Sequence, residues 1–183
     1  MEKPLPDIVA PGLDVVFCGL NPGLSAAAEG HHFVGRSNRF WRVLHLAGFT
    51  PEQIAAEHDA SLLTYGLGIT SVVERPTAGV DDLARSEFVA AAGGFEAWVR
   101  RWTPRYVAFL GKAAYAAMMG RREVAWGRQV EPFGGAVAWV LPNPSGRNLA
   151  FSQAALVAAY RELRDEAVQP LPPPSARVRS TLA

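Results

Sequence analysis

Four short apolar runs punctuate the chain: LDVVFCG (13–19), GITSVV (68–73), YVAFLG (106–111) and AVAWVL (136–141). A strand with one wet face alternates apolar and polar residues. These runs are apolar almost throughout, as strands covered on both faces must be. Between them the period changes. In SNRFWRVLHLAG (37–48), Phe40, Val43, Leu44 and Ala47 share a helical face, Ser37 is placed to cap the start and Gly48 to stop it. DDLARSEFVAAAGGFEAWVRRW (81–102) predicts a longer helix, with Asp81 and Asp82 at its positive end and Gly93-Gly94 as a kink or a division. KAAYAAMMG (112–120) follows the third run as a helix. Ser152 caps a last one, in which Leu156, Tyr160, Leu163 and Ala167 recur at helical spacing. Strands alternating with amphipathic helices predict an α/β fold, a parallel sheet covered on both faces. Ligands of such sheets bind beyond the carboxyl ends of the strands. Two loops belong there: GLNPGLSAAAEGHHF after the first run and NPSGRN after the fourth.

With 183 residues, 49% apolar and 19% charged, the chain has the size and composition of one globular domain. We place it at 13–168. Residues 1–12 hold three prolines and no period, and read as an N-terminal tail. The end, QPLPPPSARVRSTLA (169–183), reads as a disordered Pro- and Arg-containing tail. No run is apolar and long enough for a membrane span and the start lacks a secretory leader, so the expected location is cytoplasmic, beside the nucleoid in a bacterium. Cys18 stands alone and the four histidines lack H-E-x-x-H spacing, so neither a metal nor another cofactor is expected. The net charge of +1 means that any polyanion must be met by local clusters such as Arg36, Arg39 and Arg42, or Arg121 and Arg122.

Taken singly, G-L-N-P-G and N-P-S-G are turn chemistry. A nucleotide cradle would want a G-K-[ST] signature, which is absent. The segments FCGLNPG, GHHF, SNRFW, VERPT (73–77), LGKAAY (110–115) and LPNPSG (141–146) together resemble the mismatch-specific uracil-DNA glycosylase and thymine-DNA glycosylase family. The resemblance runs in order from about residue 13 to 167. It implies a three-layer α/β/α sandwich with a short parallel central sheet. It also implies a cofactor-free, monomeric enzyme that flips uracil opposite guanine out of double-stranded DNA and hydrolyses it away, leaving an abasic site. Thymine, ethenocytosine and other damaged bases fall within the implied range.

Carried onto this chain, the resemblance makes Asn21 the residue that positions the attacking water. Leu20, Gly23 and the backbone of residues 20–25 then line the base pocket, with Phe33 as the aromatic floor under the flipped base. Ala26 and His32 are similar to the thymine-processing branch, where a small side chain leaves room at the base C5. Ser71 stands where bacterial relatives often carry lysine. NPSGRN resembles the loop that enters the duplex: Arg147 or Asn148 at its tip, with Asn143, Ser145 and Gly146 near the orphan base. No lysine lies in the pocket motifs, so strand cleavage through a Schiff base is not expected. Asp81 and Asp82 are either helix-start acids or the carboxylate that Asn21 does not supply. The alternative for the whole protein is a non-catalytic mismatch- or abasic-site-binding protein.

Overall fold

Successive residues of each central strand face two different cores, which is what an all-apolar strand requires. In a computed structural model, which describes residues 4–168, Phe17, Ala108 and Leu141 belong to one core. Their neighbours Cys18, Val107, Phe109 and Val140 belong to the other. The elements are β1 (Val15–Gly19), α1 (Leu24–Glu29), α2 (Phe40–Leu46), β2 (Leu67–Ser71), α3 (Arg85–Trp102), β3 (Tyr106–Leu110), α4 (Lys112–Met118), β4 (Gly127–Arg128), β5 (Val137–Leu141) and α5 (Gln153–Ala167). Tighter turns of 3-10 geometry cover Ala56–Tyr65 and Val80–Asp82. The sheet order is β2-β1-β3-β5-β4, parallel except for β4 at one edge. Helices α2 and α5 cover one face and α3 and α4 the other, giving the three-layer sandwich.

Helix α5 shows how the layers are held. Leu156, Tyr160, Leu163 and Ala167 are fully buried, and each large apolar side chain so buried contributes about 1.5–3 kcal/mol. Tyr160 also donates its hydroxyl to the Pro142 carbonyl at 3.1 Å, tying α5 to the end of β5. Burial pushes that phenol far above its usual range, so it remains a donor. Ser152 caps the helix as expected, accepting from the Ala155 N–H at 3.1 Å.

Four expectations are corrected. Residues 4–12 are no tail: Ile8 exchanges two 2.9 Å backbone hydrogen bonds with Ile69, and Asp7 accepts from Thr70 Oγ1 (2.7 Å) and Trp98 Nε1 (3.0 Å). Gly68 is required beneath this strap, because the Ile8 carbonyl passes where a Cβ would stand. A one-residue bridge between prolines carries no period, so the pattern could not show it. Helix α2 starts at Phe40 and not at Ser37; the Asn38 side chain accepts from the Phe40 N–H at 3.0 Å. Helix α3 begins only at Arg85 and runs unbroken through Gly93-Gly94. Asp81 and Asp82 instead lie in the separate 3-10 turn. The elements α1 and β4 are too short for a periodicity reading. The expected C-terminal tail, 169–183, lies outside the described residues.

Candidate active site

The chain turns from one side of the sheet to the other at β1 and β3, and a cavity of about 700 Å3 opens beyond their carboxyl ends. One wall is the loop after β1, which is zipped to the segment after β2. Val72 and Val73 donate to Gly19 and Leu20 carbonyls at 3.0 Å, Thr77 donates to Pro22 at 3.1 Å, and Leu24 donates to Thr77 at 3.2 Å. Asn21 sits in this zip. Its Nδ2 donates to the Arg75 carbonyl at 2.8 Å and to Thr77 Oγ1 at 2.8 Å. Thr77 directs its own proton to the Gly79 carbonyl at 2.8 Å. A carbonyl can only accept, so the orientation of the amide is forced. Both amide hydrogens are engaged, and Oδ1, without a protein partner among the described residues, is left as a pure acceptor at the cavity.

The opposite wall is the 30–34 turn. Phe33 holds the left-handed backbone conformation (φ 53°), uncommon outside glycine. That turn lays its ring on Phe40, centroids 4.1 Å apart and planes 28° apart, and leaves the residue bordering the cavity. Asp59 secures the turn by accepting from the His32 N–H at 2.9 Å and meeting His31 Nδ1 at 3.3 Å. The His32 ring is buried, with Nε2 donating to the Pro6 carbonyl of the N-terminal strap at 2.8 Å. Burial lowers its pKa, which keeps the imidazole neutral. Leu20, Gly23, Ala26 and Ser71 all border the same cavity.

The third wall is the loop after β5, residues 142–152. Asn143 accepts from the Ser145 N–H (2.9 Å) and its carbonyl receives Asn148 Nδ2 (2.9 Å). From α2's start, the Arg39 guanidinium donates to four carbonyls of this loop: Pro144 (3.4 Å), Ser145 (2.9 Å), Asn148 (2.9 Å) and Phe151 (2.7 Å). Gly146 docks so closely that a Cβ would stand 2.5 Å from the Ser37 carbonyl. Asn143, Ser145, Arg147 and Asn148 reach the cavity, whereas Gly146 faces Ser37 and does not.

Asp82 is also outside the cavity: its carboxylate accepts the Gly79 N–H at 3.0 Å and closes its own turn. Asp81, exposed, stands at the cavity mouth. Lys112, at the start of α4, borders the cavity as well, against the expectation of a lysine-free pocket. Its ammonium lies 4.4 Å from the centre of the Trp126 ring, a cation–π contact. Sequence reasoning missed Thr77 and Arg39 as parts of the site, although VERPT and SNRFW had drawn attention to their segments. Leu5 of the strap had no signal at all, because only the fold brings it to the cavity. Among the described residues, no three His, Cys, Asp or Glu side chains are placed to hold a metal ion, and no helix is long and apolar enough to cross a membrane.

This architecture is similar to that in the solution NMR structure of a Methanosarcina acetivorans protein provisionally described as a uracil DNA glycosylase. The TM-score is 0.55 and the identity 20%, over 89% of this chain and 98% of that one. The fold is therefore the α/β fold of that class. A family model of the uracil DNA glycosylase superfamily matches residues 6–164, beginning within the strap, and the chain belongs to that superfamily. Its members are DNA glycosylases, hydrolases of base excision repair that bind DNA and act on uracil.

Proposed function

We propose that this protein is a mismatch-directed uracil-DNA glycosylase, removing uracil opposite guanine and leaving an abasic site. The observation that carries the reading is the Asn21 amide, fixed through Nδ2 so that only Oδ1 is offered to a ligand. A water donating one O–H to Oδ1 keeps a lone pair free for the sugar C1′. An amide oxygen cannot take that water's second proton, so departure of the base must lead. The C1′–N bond breaks with its electron pair going to the base, and the sugar becomes oxocarbenium-like. Water then forms the C1′–O bond and gives up a proton, and the departing base gains one. The backbone N–H groups of Ser25 and Ala26, which make no backbone hydrogen bond among the described residues, are the donors for charge growing on the base.

Phe33, its ring laid on Phe40 and bordering the cavity, supports stacking of the flipped base. The small side chain of Ala26 leaves room for a substituent at C5, so thymine and 5-substituted uracils fit the reading. Lys112, held over Trp126, supports hydrolysis without a Schiff base. A second reading rests on Asp81, whose exposed carboxylate at the mouth makes no ion pair among the described residues and could accept the water's proton. The test is single-turnover release from G·U, A·U and G·T duplexes and from single-stranded DNA, comparing wild type with Asn21→Ala. The expected outcome is release from G·U that falls by about 10²–10³-fold in the variant, the usual effect of losing one positioned polar group at a reacting centre. Release that survives in Asn21→Ala but not in Asp81→Asn moves the water to the carboxylate. Tight mismatch binding with no release from any substrate establishes the binding protein instead.

A further inference from the structure

Asp59 is out of keeping with its surroundings. It is the only buried carboxylate among the described residues, and no arginine or lysine among them pairs with it. Its one ionisable partner is His31, whose ring is partly exposed and cationic only when protonated. Taking a charge out of water is expensive, so a carboxylate placed this way is a poor device for stability alone.

What it holds is the turn in front of Phe33. Oδ2 accepts the His32 N–H at 2.9 Å and Oδ1 meets His31 Nδ1 at 3.3 Å, so one side chain grips two consecutive residues. His32 is held at two further points. Trp41 Nε1 donates to its carbonyl at 3.2 Å, and its ring donates to the Pro6 carbonyl at 2.8 Å. Phe33, the next residue, makes no backbone hydrogen bond of its own among the described residues. It nevertheless holds the left-handed conformation, which is unfavourable for an aromatic residue and persists only where the surroundings impose it. The other non-glycine residue described there, Thr103, ends α3, where that conformation is common; Phe33 ends no helix.

Asp59 is itself firmly mounted, in the 3-10 turn that buries Leu62 in the same core as Phe40. Of the three groups that hold His32 it alone is a carboxylate, and charge-assisted hydrogen bonds are roughly twice as strong as neutral ones. The ring so placed lies on Phe40 and reaches the end of β1: a Cβ built on Gly19, two residues before Asn21, would stand 3.8 Å from Phe33 Cζ.

We infer that Asp59 is a positioning residue for base release: by holding His31 and His32 it sets the tilt of Phe33 as the floor under the flipped base. The inference rests on the glycosylase reading and deepens it.

The test joins a double-mutant cycle to a spectroscopic label. Single-turnover release from the G·U duplex is expected to be about 10-fold slower in Asp59→Ala, the scale of a small misplacement at a reacting centre. Asp59→Asn, whose Oδ1 still accepts the His32 N–H, is expected to stay within about threefold of wild type. Because Asp59 acts through Phe33, the double variant Asp59→Ala/Phe33→Ala is expected to be no slower than Phe33→Ala alone. A para-fluorophenylalanine placed only at position 33 is expected to shift its fluorine resonance in Asp59→Ala but not in Asp59→Asn. The same label at Phe95, in the other core, is expected to keep its resonance in both. If Asp59→Ala does not fold, Asp59→Ser, too short to grip both residues, takes its place with the same expectations. Losses that multiply in the double variant overturn the inference, because Asp59 then acts elsewhere. So does an unmoved resonance at position 33, or a resonance at Phe95 that moves as far. If wild type releases no base at all, the glycosylase reading fails, and the fluorine shift still decides whether Asp59 positions Phe33.

Discussion

The loops after β1 and β5 leave the same edge of the same sheet, yet opposite means hold them. The first is fixed by backbone pairing to the segment after β2, and its polar ends turn into the cavity. The second has no such partner strand. A side chain from another element, Arg39, gathers its carbonyls, and its tip faces solvent. The difference suits the tasks proposed for them: a pocket must be lined by groups whose directions are fixed, whereas a probe need only be stiff.

The comparison can be broken first at Arg39. Arg39→Met removes charged donors from four carbonyls and is expected to cost about 3 kcal/mol, hydrogen bonds to charged groups being worth roughly 1.5–3 kcal/mol each and not additive. In a domain of this size that is a fall of about 6–12 °C in melting temperature, read by a thermal melt. Uracil release from a G·U duplex is expected to fall further than release from a bubble in which the uracil is already unpaired. A melting temperature equal to wild type's would show that the loop holds itself. Phe33→Ala probes the other loop. Loss of a stacking platform worth about 1–3 kcal/mol predicts base release slower by roughly 10–100-fold on duplex and bubble alike, in single-turnover assays. A loss confined to the paired substrate would make Phe33 part of the unstacking machinery and not the floor.

The smallest effect concerns His32. Its folded pKa is lowered from the ordinary 6.5, burial being the main cause. Below about 6.5 the unfolded chain therefore binds the proton first, and stability falls as pH drops from there toward the folded value; above it this contribution is complete. His32→Gln retains a donor for the Pro6 carbonyl and does not titrate. Melts at about pH 7.5 and pH 5.5 are expected to show a larger acid loss in wild type than in the variant. Equal losses would place the acid sensitivity elsewhere.

What could be read from the chain followed from periodicity and from motif chemistry. The four parallel strands and the α5 face were legible because their patterns extend over several residues. The strap was not, because its hold on the fold is one bridge, two side-chain bonds to Asp7 and the absence of a side chain at Gly68. In the site, Asn21 and Phe33 were legible as residue types in a recognisable loop. Thr77 and Arg39 act on backbone carbonyls and on an amide some fifty to a hundred positions away, and such long-range partners leave no local pattern. Asp82 was misplaced for a related reason: a carboxylate next to a glycine-rich turn can close that turn as readily as it can start a helix.

The way Arg39 grips the second loop bears on how the protein can change. Every residue type supplies a main-chain carbonyl, so the brace does not depend on which side chains occupy the tip. Residues 147 and 149 can be exchanged while the scaffold that carries them stays intact, whereas Asn148, whose side chain donates to the Asn143 carbonyl, and Gly146, pressed against Ser37, cannot. The tip is thus an interchangeable tool on a fixed mount, and substitutions at 147 and 149 can change what this edge of the protein presents without disturbing the backbone that carries it.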